Sequence, residues 1–169
     1  MGPTSPDPLG DTIAPGSTLL VDTSVVLAYL VGTEPTSERA GQLFDAFVAT
    51  GRNPASLSMI TVAEILIRPF RAGPTAVARA EGFLRHFADI KLLDVDYDVA
   101  RAAARIRAAT GMRMPDAIIL ASVVVAGIDV LVTNDRAWKN RVPLYTPAQR
   151  VCILADVGRR ARRAELSSR

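Results

Sequence analysis

The chain has 169 residues, 49% of them hydrophobic and 22% charged, a length that suits one domain with its own core and excludes two. A single cysteine, Cys152, excludes a disulfide framework and a Cys-rich metal site. The longest mainly apolar run, Ala117–Ala126, contains one serine and is about half of the roughly 20 residues that span a bilayer. The N-terminus lacks the basic and apolar regions of a signal peptide, so we expect a soluble cytoplasmic protein with no membrane partner.

The net charge of +3 is unevenly distributed. Residues 155–169 hold five arginines and two acids, which accounts for the whole excess, and residues 1–154 are neutral. We predict a flexible leader rich in Pro and Gly over residues 1–17, a folded domain over residues 18–154 and an Arg-rich tail over residues 155–169. The tail has two interpretations: it contacts RNA or a partner, or it is a solvated disordered end.

Strands and helices alternate along the folded domain. We predict strands at Thr18–Val21, Leu57–Ile60, Lys91–Val95 and Asp129–Thr133. We predict helices at Ser24–Val31, Thr36–Ala49, Thr75–Phe87, Tyr97–Thr110 and Asp116–Ala126, and one more that Thr61 caps and that is interrupted near Pro69. The alternation indicates an α/β fold, a three-layer sandwich with a mainly parallel central sheet and helices on both faces.

Four acidic residues are predicted at one edge of this sheet. Asp22 and Asp135 follow strands, and Glu64 and Asp116 lie near the starts of helices. The carboxyl ends of parallel strands and the starts of the helices that follow them share an edge, which is where ligands bind in such sheets. The four carboxylates are therefore candidates for one site.

Each acid also has an explanation that needs no site. Asp22 and Asp135 can cap helices, and Asp116 can interact with the dipole of its own helix. Glu64 is flanked by apolar residues, and an ionised group in such surroundings needs a partner or a metal ion. Arg68, four residues further along, is the alternative partner for Glu64.

Convergence of four carboxylates would require a cation, because like charges repel. Carboxylate oxygens without histidine or cysteine select a hard ion such as Mg²⁺ or Mn²⁺ over zinc. Such an ion lowers the pKa of water and stabilises charge on a phosphate oxygen, so the pattern predicts hydrolysis of a phosphodiester.

Four motifs together resemble the PIN-domain ribonucleases, and most of all the VapC-type toxins of bacterial toxin-antitoxin pairs. They are Asp22-Thr23-Ser24 after a buried strand, Glu64 in an apolar helix start, Met114-Pro115-Asp116-Ala117, and Leu131-Val132-Thr133-Asn134-Asp135. The resemblance runs from about Thr18 to Val142. It implies a PIN-like fold, a Mg²⁺- or Mn²⁺-dependent endoribonuclease acting on RNA, a homodimer, and inhibition by a small cognate antitoxin.

The resemblance also assigns site residues. Asp22, Glu64, Asp116 and Asp135 match the acidic, metal-binding quartet of the family, of which the fourth member varies most. The positions that support these acids by hydrogen bonds match Thr23, Ser24, Thr133 and Asn134. From its proximity to Asp116 we further predict that Arg113 contacts RNA, whereas Arg101, Arg105 and Arg107 are expected to form a solvated helix face.

Two other functions are open at this point. A non-catalytic PIN-like module would bind RNA or a partner without cleaving it. An aspartyl phosphatase is suggested by Asp94–Asp98, although capping of the next helix explains that segment better.

The remaining reactive side chains are expected to have structural roles. We expect His86 at the surface or its boundary, and Cys152 and Trp138 in apolar packing.

Overall fold

The computed structural model describes residues 7–146 and 149–158. Its central sheet consists of β1 (Leu19–Val21), β2 (Ala55–Ser58), β3 (Ile90–Leu93), β4 (Val130–Thr133) and β5 (Arg150–Ile153). The strand order is β3-β2-β1-β4-β5, and every neighbouring pair is parallel. The predicted α/β fold with a parallel sheet is confirmed.

Seven helices accompany the sheet in the described part of the chain. They are α1 (Thr23–Val31), α2 (Ser37–Gly41), α3 (Met59–Ala72), α4 (Pro74–His86), α5 (Tyr97–Thr110), α6 (Met114–Val125) and α7 (Trp138–Tyr145). A π-helical segment, Gln42–Val48, continues α2, and a short 3₁₀ turn covers Leu154–Asp156. Within the described residues, every helix is too short or too polar to cross a bilayer.

The sheet separates two hydrophobic cores. Successive side chains of a strand point to opposite faces, so Leu19 and Val21 of β1 enter one core while Leu20 enters the other. The first core also contains buried residues of α1 to α4, and the second contains those of α5, α6 and α7. This arrangement is the predicted three-layer sandwich.

The strand order has a switch point between β1 and β4. From β1 the chain proceeds outward through β2 to β3, and it then returns to the other side of β1 with β4 and β5. At such a point, the loops after two neighbouring strands diverge and leave a crevice at the carboxyl edge of the sheet. Asp22 follows β1 and Asn134 follows β4, so both residues flank this crevice.

The segment that contains β2 and the helix after it differs from the sequence prediction in three respects. The strand predicted at Leu57–Ile60 is Ala55–Ser58, because pairing with β1 and β3 sets its bounds. The next helix begins at Met59, so Thr61 lies inside it, buried, and does not cap it. The helix also continues through Pro69, since a proline inside a helix removes one backbone donor but its carbonyl still accepts from Gly73.

The prediction of a flexible leader over residues 1–17 is wrong for residues 7–17. Leu9 and Ile13 are fully buried in the first core. The Asn53 amide donates to the carbonyls of Ala14 (2.8 Å) and Ser17 (2.9 Å), which fixes the backbone before β1. Two apolar side chains four residues apart anchor the segment, and its proline content concealed this. Residues 1–6 lie outside the described residues.

The end of the chain also contributes to the fold. β5 was not predicted, because its four residues begin with an exposed arginine at the edge of the sheet and show no clear period. Val157 is buried beyond it, so the described residues 155–158 of the predicted tail pack on the domain. The five tail arginines lie outside the described residues.

Candidate active site

Asp22 lies at the carboxyl end of β1 and is 7% exposed. Its Oδ1 accepts a hydrogen bond from the backbone N–H of Thr23 (2.8 Å), so the residue also caps α1. Its Oδ2 accepts from the hydroxyls of Ser24 (3.0 Å) and Thr133 (2.6 Å). All three donors are uncharged, and the carboxylate therefore keeps its negative charge available for a cation.

Burial is the largest influence on the pKa of Asp22 and raises it above the ordinary value. The hydrogen bonds from Thr133, Ser24 and Thr23 oppose this shift, whereas the nearby Glu64 carboxylate adds to it. A net rise in spite of three donors means that the surroundings leave the negative charge of Asp22 incompletely compensated. A bound cation would supply the missing compensation.

Glu64 lies in the second turn of α3 and is half-buried. Its Oε2 accepts a hydrogen bond from the hydroxyl of Thr23, the residue that follows Asp22. Arg68, the alternative partner considered from the sequence, makes no ion pair with Glu64 in the described structure. Asp22 and Glu64 are thus connected through Thr23.

Asp116 occupies the first turn of α6, next to Pro115 at the start of that helix. Its Oδ2 lies 3.2 Å from Nη1 of Arg141, which α7 carries beyond β4. The ion pair brings the start of α6 to the carboxyl side of β4, the same side as the loop that follows this strand. Arg141 was not singled out from the sequence, because one arginine in a short segment of mixed polarity has no distinguishing pattern.

The loop after β4 supports the hydroxyls that contact Asp22. The backbone N–H of Asn134 donates to the Ser24 hydroxyl (3.1 Å), and that of Asp135 donates to the Thr133 hydroxyl (3.0 Å). Each hydroxyl thus accepts from the loop and donates to Asp22, which orients both hydrogens and polarises both bonds. The supporting positions expected from the resemblance form one hydrogen-bonded network in the structure.

Asp135 is exposed, and its Oδ1 accepts from the backbone N–H of Ala137 (2.8 Å). It therefore caps the turn before α7, the role considered from the sequence, and leaves its second oxygen available. The amide oxygen of Asn134 is buried and has no hydrogen-bond partner in the described structure. This unpaired acceptor lies beside Ser24, whose carbonyl accepts from the amide nitrogen of Asn134 (3.2 Å).

The four acids do not form a closed cluster. Among the described residues, no three acidic, histidine or cysteine side chains lie close enough together to hold an ion as they stand. Asp116 is instead paired with Arg141. The donor set still fits a hard divalent cation, because it consists of carboxylate oxygens with a free amide oxygen beside them and lacks histidine and cysteine.

The other reactive side chains have structural roles. Asp96 caps α5 by accepting from the N–H of Val99 (2.9 Å), as the capping interpretation of that loop predicted. Burial raises the pKa of the Cys152 thiol to about 11, so the residue is an inert core side chain. Trp138 is buried in the second core, and His86 is exposed.

Two buried hydroxyls near the crevice were missed from the sequence. Ser122 of α6 donates to Ser58 at the end of β2 (3.1 Å), and this bond joins the helix of Asp116 to the strand before Glu64. Small polar residues inside apolar segments give no signal of their partner.

The arginines considered from the sequence are all exposed. Arg113 lies directly before α6, and Arg101, Arg105 and Arg107 lie on α5.

Residues 19–142 match the family model of the PIN domain. This segment includes all four acids and every supporting residue described above. No curated protein matches the chain.

Several solved structures share the fold. A toxin-antitoxin complex from Klebsiella pneumoniae is 20% identical with a TM-score of 0.59, over 80% of this chain and 97% of that one. VapBC-5 from Mycobacterium tuberculosis is 25% identical with a TM-score of 0.52, over 80% and 98%. VapC20 from the same organism, described as a sarcin-ricin loop cleaving toxin, is 19% identical with a TM-score of 0.55, over 67% and 86%.

Proposed function

Because the chain belongs to the PIN domain family, whose members are generally nucleases, we propose that it is a Mg²⁺- or Mn²⁺-dependent endoribonuclease that hydrolyses RNA phosphodiester bonds and serves as the toxin of a toxin-antitoxin pair. The observation that carries the proposal is the buried Asp22 carboxylate at the switch point of the sheet, which Thr23 links by hydrogen bonds to a second carboxylate, Glu64. A divalent cation would stabilise two carboxylates held this close together.

Asp22, Glu64 and Asp116 would hold the ion, and Asp135 would complete the site from the β4 side. When bound, a divalent ion lowers the pKa of water and stabilises negative charge on a phosphate oxygen. Asp22 is the fixed member, since three hydrogen bonds restrain its carboxylate. Glu64 is restrained by one, from Thr23. Asp135 is exposed and acts directly or through water.

The hydrogen-bond network positions these acids. Thr23 contacts two of the acids, with its N–H donating to Asp22 and its hydroxyl donating to Glu64. Ser24 and Thr133 hold the other oxygen of Asp22, and the backbone after β4 holds their hydroxyls. Outer groups of this kind commonly change metal affinity or activity by about ten- to hundredfold when they are removed.

Arg113 is the candidate contact to the RNA backbone. It is exposed and lies three residues before Asp116, so its guanidinium can bind a phosphate next to the site. Within residues 1–154 the charges cancel, and the bound ion therefore supplies the positive charge that the RNA approaches.

An apolar groove supports the proposal of a protein partner. It lies between α1, α3 and α4, has a volume of about 500 Å³, and includes Leu27, Leu30 and Ile65 in its lining. Arg68 and Arg79 also line it, so its chemistry suits an amphipathic helix with acidic residues beside its apolar face. The similar structures that are toxin-antitoxin complexes support an antitoxin as this partner, and we also propose that the chain forms a homodimer.

Cleavage of RNA by the purified chain tests the proposed activity. Labelled RNA should be cut in Mn²⁺ or Mg²⁺, and a chelator should stop the reaction. Glu64→Gln should lower the rate by about 100-fold or more, because it removes a ligand charge without changing shape. Glu38→Gln, at an exposed acid of α2, is the matched control and should cleave like the wild type.

The non-catalytic alternative predicts a different result. A binding module would retain RNA in a shift assay without cutting it under any metal condition, and Glu64→Gln would not change its affinity. A growth test addresses the toxin role separately. Expression of the wild type should arrest bacterial growth, and expression of Glu64→Gln should not.

A further inference from the structure

We propose that Arg141 is a phosphate-binding residue of this site, which neutralises Asp116 in the free protein and transfers to the RNA backbone when a divalent cation binds. The inference rests on the proposed nuclease function and adds to it a residue outside the acidic quartet and its hydrogen-bond network.

The partners of the proposed metal-binding acids distinguish Asp116 from the others. Asp22, Glu64 and Asp135 accept hydrogen bonds from hydroxyls or backbone N–H groups only. Asp116 instead faces a guanidinium, with Arg141 Nη1 3.2 Å from its Oδ2. The remaining ion pairs of the described structure involve Asp7 and Asp156, which lie outside the site.

The guanidinium and a metal ion compete for Asp116. Neutral donors share a carboxylate with a cation, whereas a guanidinium and a divalent ion on the same carboxylate would repel each other. Binding of the ion therefore weakens the Arg141 contact.

The surroundings of Arg141 allow its side chain to move while its helix stays fixed. Trp138 and Val142 on the same helix are buried in the second core and anchor α7. The side chains of Arg141 and Asp116 are 40% and 28% exposed, so solvent can replace their contact at little cost. A helix anchored by two buried side chains thus carries a partly exposed guanidinium at the edge of the site.

A released guanidinium is well suited to a phosphate. It presents parallel N–H donors that match two phosphate oxygens, and it stays charged at any working pH. Arg141 enters from α7 on the β4 side of the sheet, whereas Arg113 stands at the start of α6. The two arginines can therefore bind phosphate groups on different sides of the bound ion.

Two independent readouts test the inference. Mn²⁺ binding is measured by calorimetry without RNA, and cleavage of labelled RNA is measured at saturating Mn²⁺. Arg141→Gln should bind Mn²⁺ about three- to tenfold more tightly, because a competing charge is gone. The same variant should lose about ten- to hundredfold in kcat/KM for RNA, because a phosphate contact is gone.

Two further variants complete the test. Arg141→Lys keeps the positive charge but lacks the parallel N–H donors of the guanidinium. It should therefore bind Mn²⁺ like the wild type and cleave RNA more slowly. This variant retains an ion-pair partner for Asp116 and remains informative if Arg141→Gln folds poorly. Arg136→Gln is the matched control, because Arg136 pairs with Asp156 outside the site, and it should match the wild type in both readouts.

The opposite movement of metal affinity and cleavage is the diagnostic result. If Arg141→Gln only lowers the melting temperature and leaves Mn²⁺ affinity and cleavage at wild-type values, Arg141 is a helix anchor and the inference is overturned while the nuclease proposal stands. If the wild type neither binds Mn²⁺ nor cleaves RNA, the nuclease proposal itself is wrong and the inference falls with it.

Discussion

Thr133 donates a 2.6 Å hydrogen bond to Asp22 although the two residues are 111 positions apart in the chain. The bond joins the ends of β1 and β4, which are neighbours in the sheet on either side of the switch point. Thr133 is fully buried and also accepts from the N–H of Asp135. One hydroxyl therefore holds the first acid of the site and orients the loop that carries the fourth.

Removal of this hydroxyl should weaken the site more than the fold. Thr133→Val keeps the shape of the side chain, and we expect about a tenfold loss of Mn²⁺ affinity by calorimetry, because Asp22 loses a restraint and the Asp135 N–H loses its acceptor. Thr133→Ser retains the hydroxyl and should recover most of the affinity. Equal Mn²⁺ affinity in the valine variant and the wild type would contradict the positioning role.

Neutralising the buried acid should abolish cleavage without unfolding the protein. Asp22→Asn removes the charge that burial and Glu64 already disfavour, so the melting temperature without metal should stay close to that of the wild type or rise. Mn²⁺ should raise the melting temperature of the wild type and not that of the variant. Asp98→Asn, at an exposed acid in the first turn of α5, is the matched control and should keep both cleavage and the Mn²⁺ response.

The segment before β1 should behave as part of the core. Ile13→Ala removes a fully buried side chain and should lower the free energy of unfolding by about 2–4 kcal/mol, measured by urea denaturation. Ile67→Ala makes the same substitution at a side chain that is 49% exposed, and it should cost about 1 kcal/mol or less. Equal effects at both positions would indicate that residues 7–17 form a flexible leader and are not part of the core.

Asp7 gives this segment a pH dependence. Its pKa is lowered, chiefly by the backbone hydrogen bond from Gly10 and also by contacts with Arg52 and Gln42. A carboxyl whose pKa is lower in the folded state contributes stability above its ordinary value near 3.8, and this contribution disappears as the pH falls through the lowered value.

Asp7→Asn should therefore be less stable than the wild type at pH 7, and the two proteins should converge in strong acid. Thermal unfolding at a series of pH values measures this difference. A difference that stays constant down to the acid limit would assign the effect to packing instead of charge.

The sequence predicts the features that rest on local patterns. Asp22 is recognisable because a short apolar strand ends at it, and Asp116 because Pro115 marks the start of an apolar helix. Glu64 stands out because an acid among apolar residues needs a partner, although its actual partner, Thr23, comes from a different element. The parallel sheet follows from the alternation of strands and helices, and it brings these positions to one edge.

Contacts between distant segments are not visible in such patterns. Arg141 meets Asp116 only because α7 packs beside the start of α6, and Ser122 meets Ser58 only because α6 covers β2. Leu9 and Ile13 were hidden by the prolines around them, and β5 by its short length and exposed first residue. In each case the stabilising partner lies in another part of the chain.

Diffraction from crystals soaked in Mn²⁺, recorded at a wavelength where manganese scatters anomalously, tests the central claim most directly. We predict an anomalous peak within about 2.1 Å of carboxylate oxygens of Asp22 and Asp116, with Glu64 turned toward it and Arg141 moved off Asp116. The peak should be missing from crystals of Asp22→Asn. Wild-type crystals in which the Arg141–Asp116 pair stays intact and no manganese peak lies near Asp22 would contradict a metal-dependent nuclease site at this edge of the sheet.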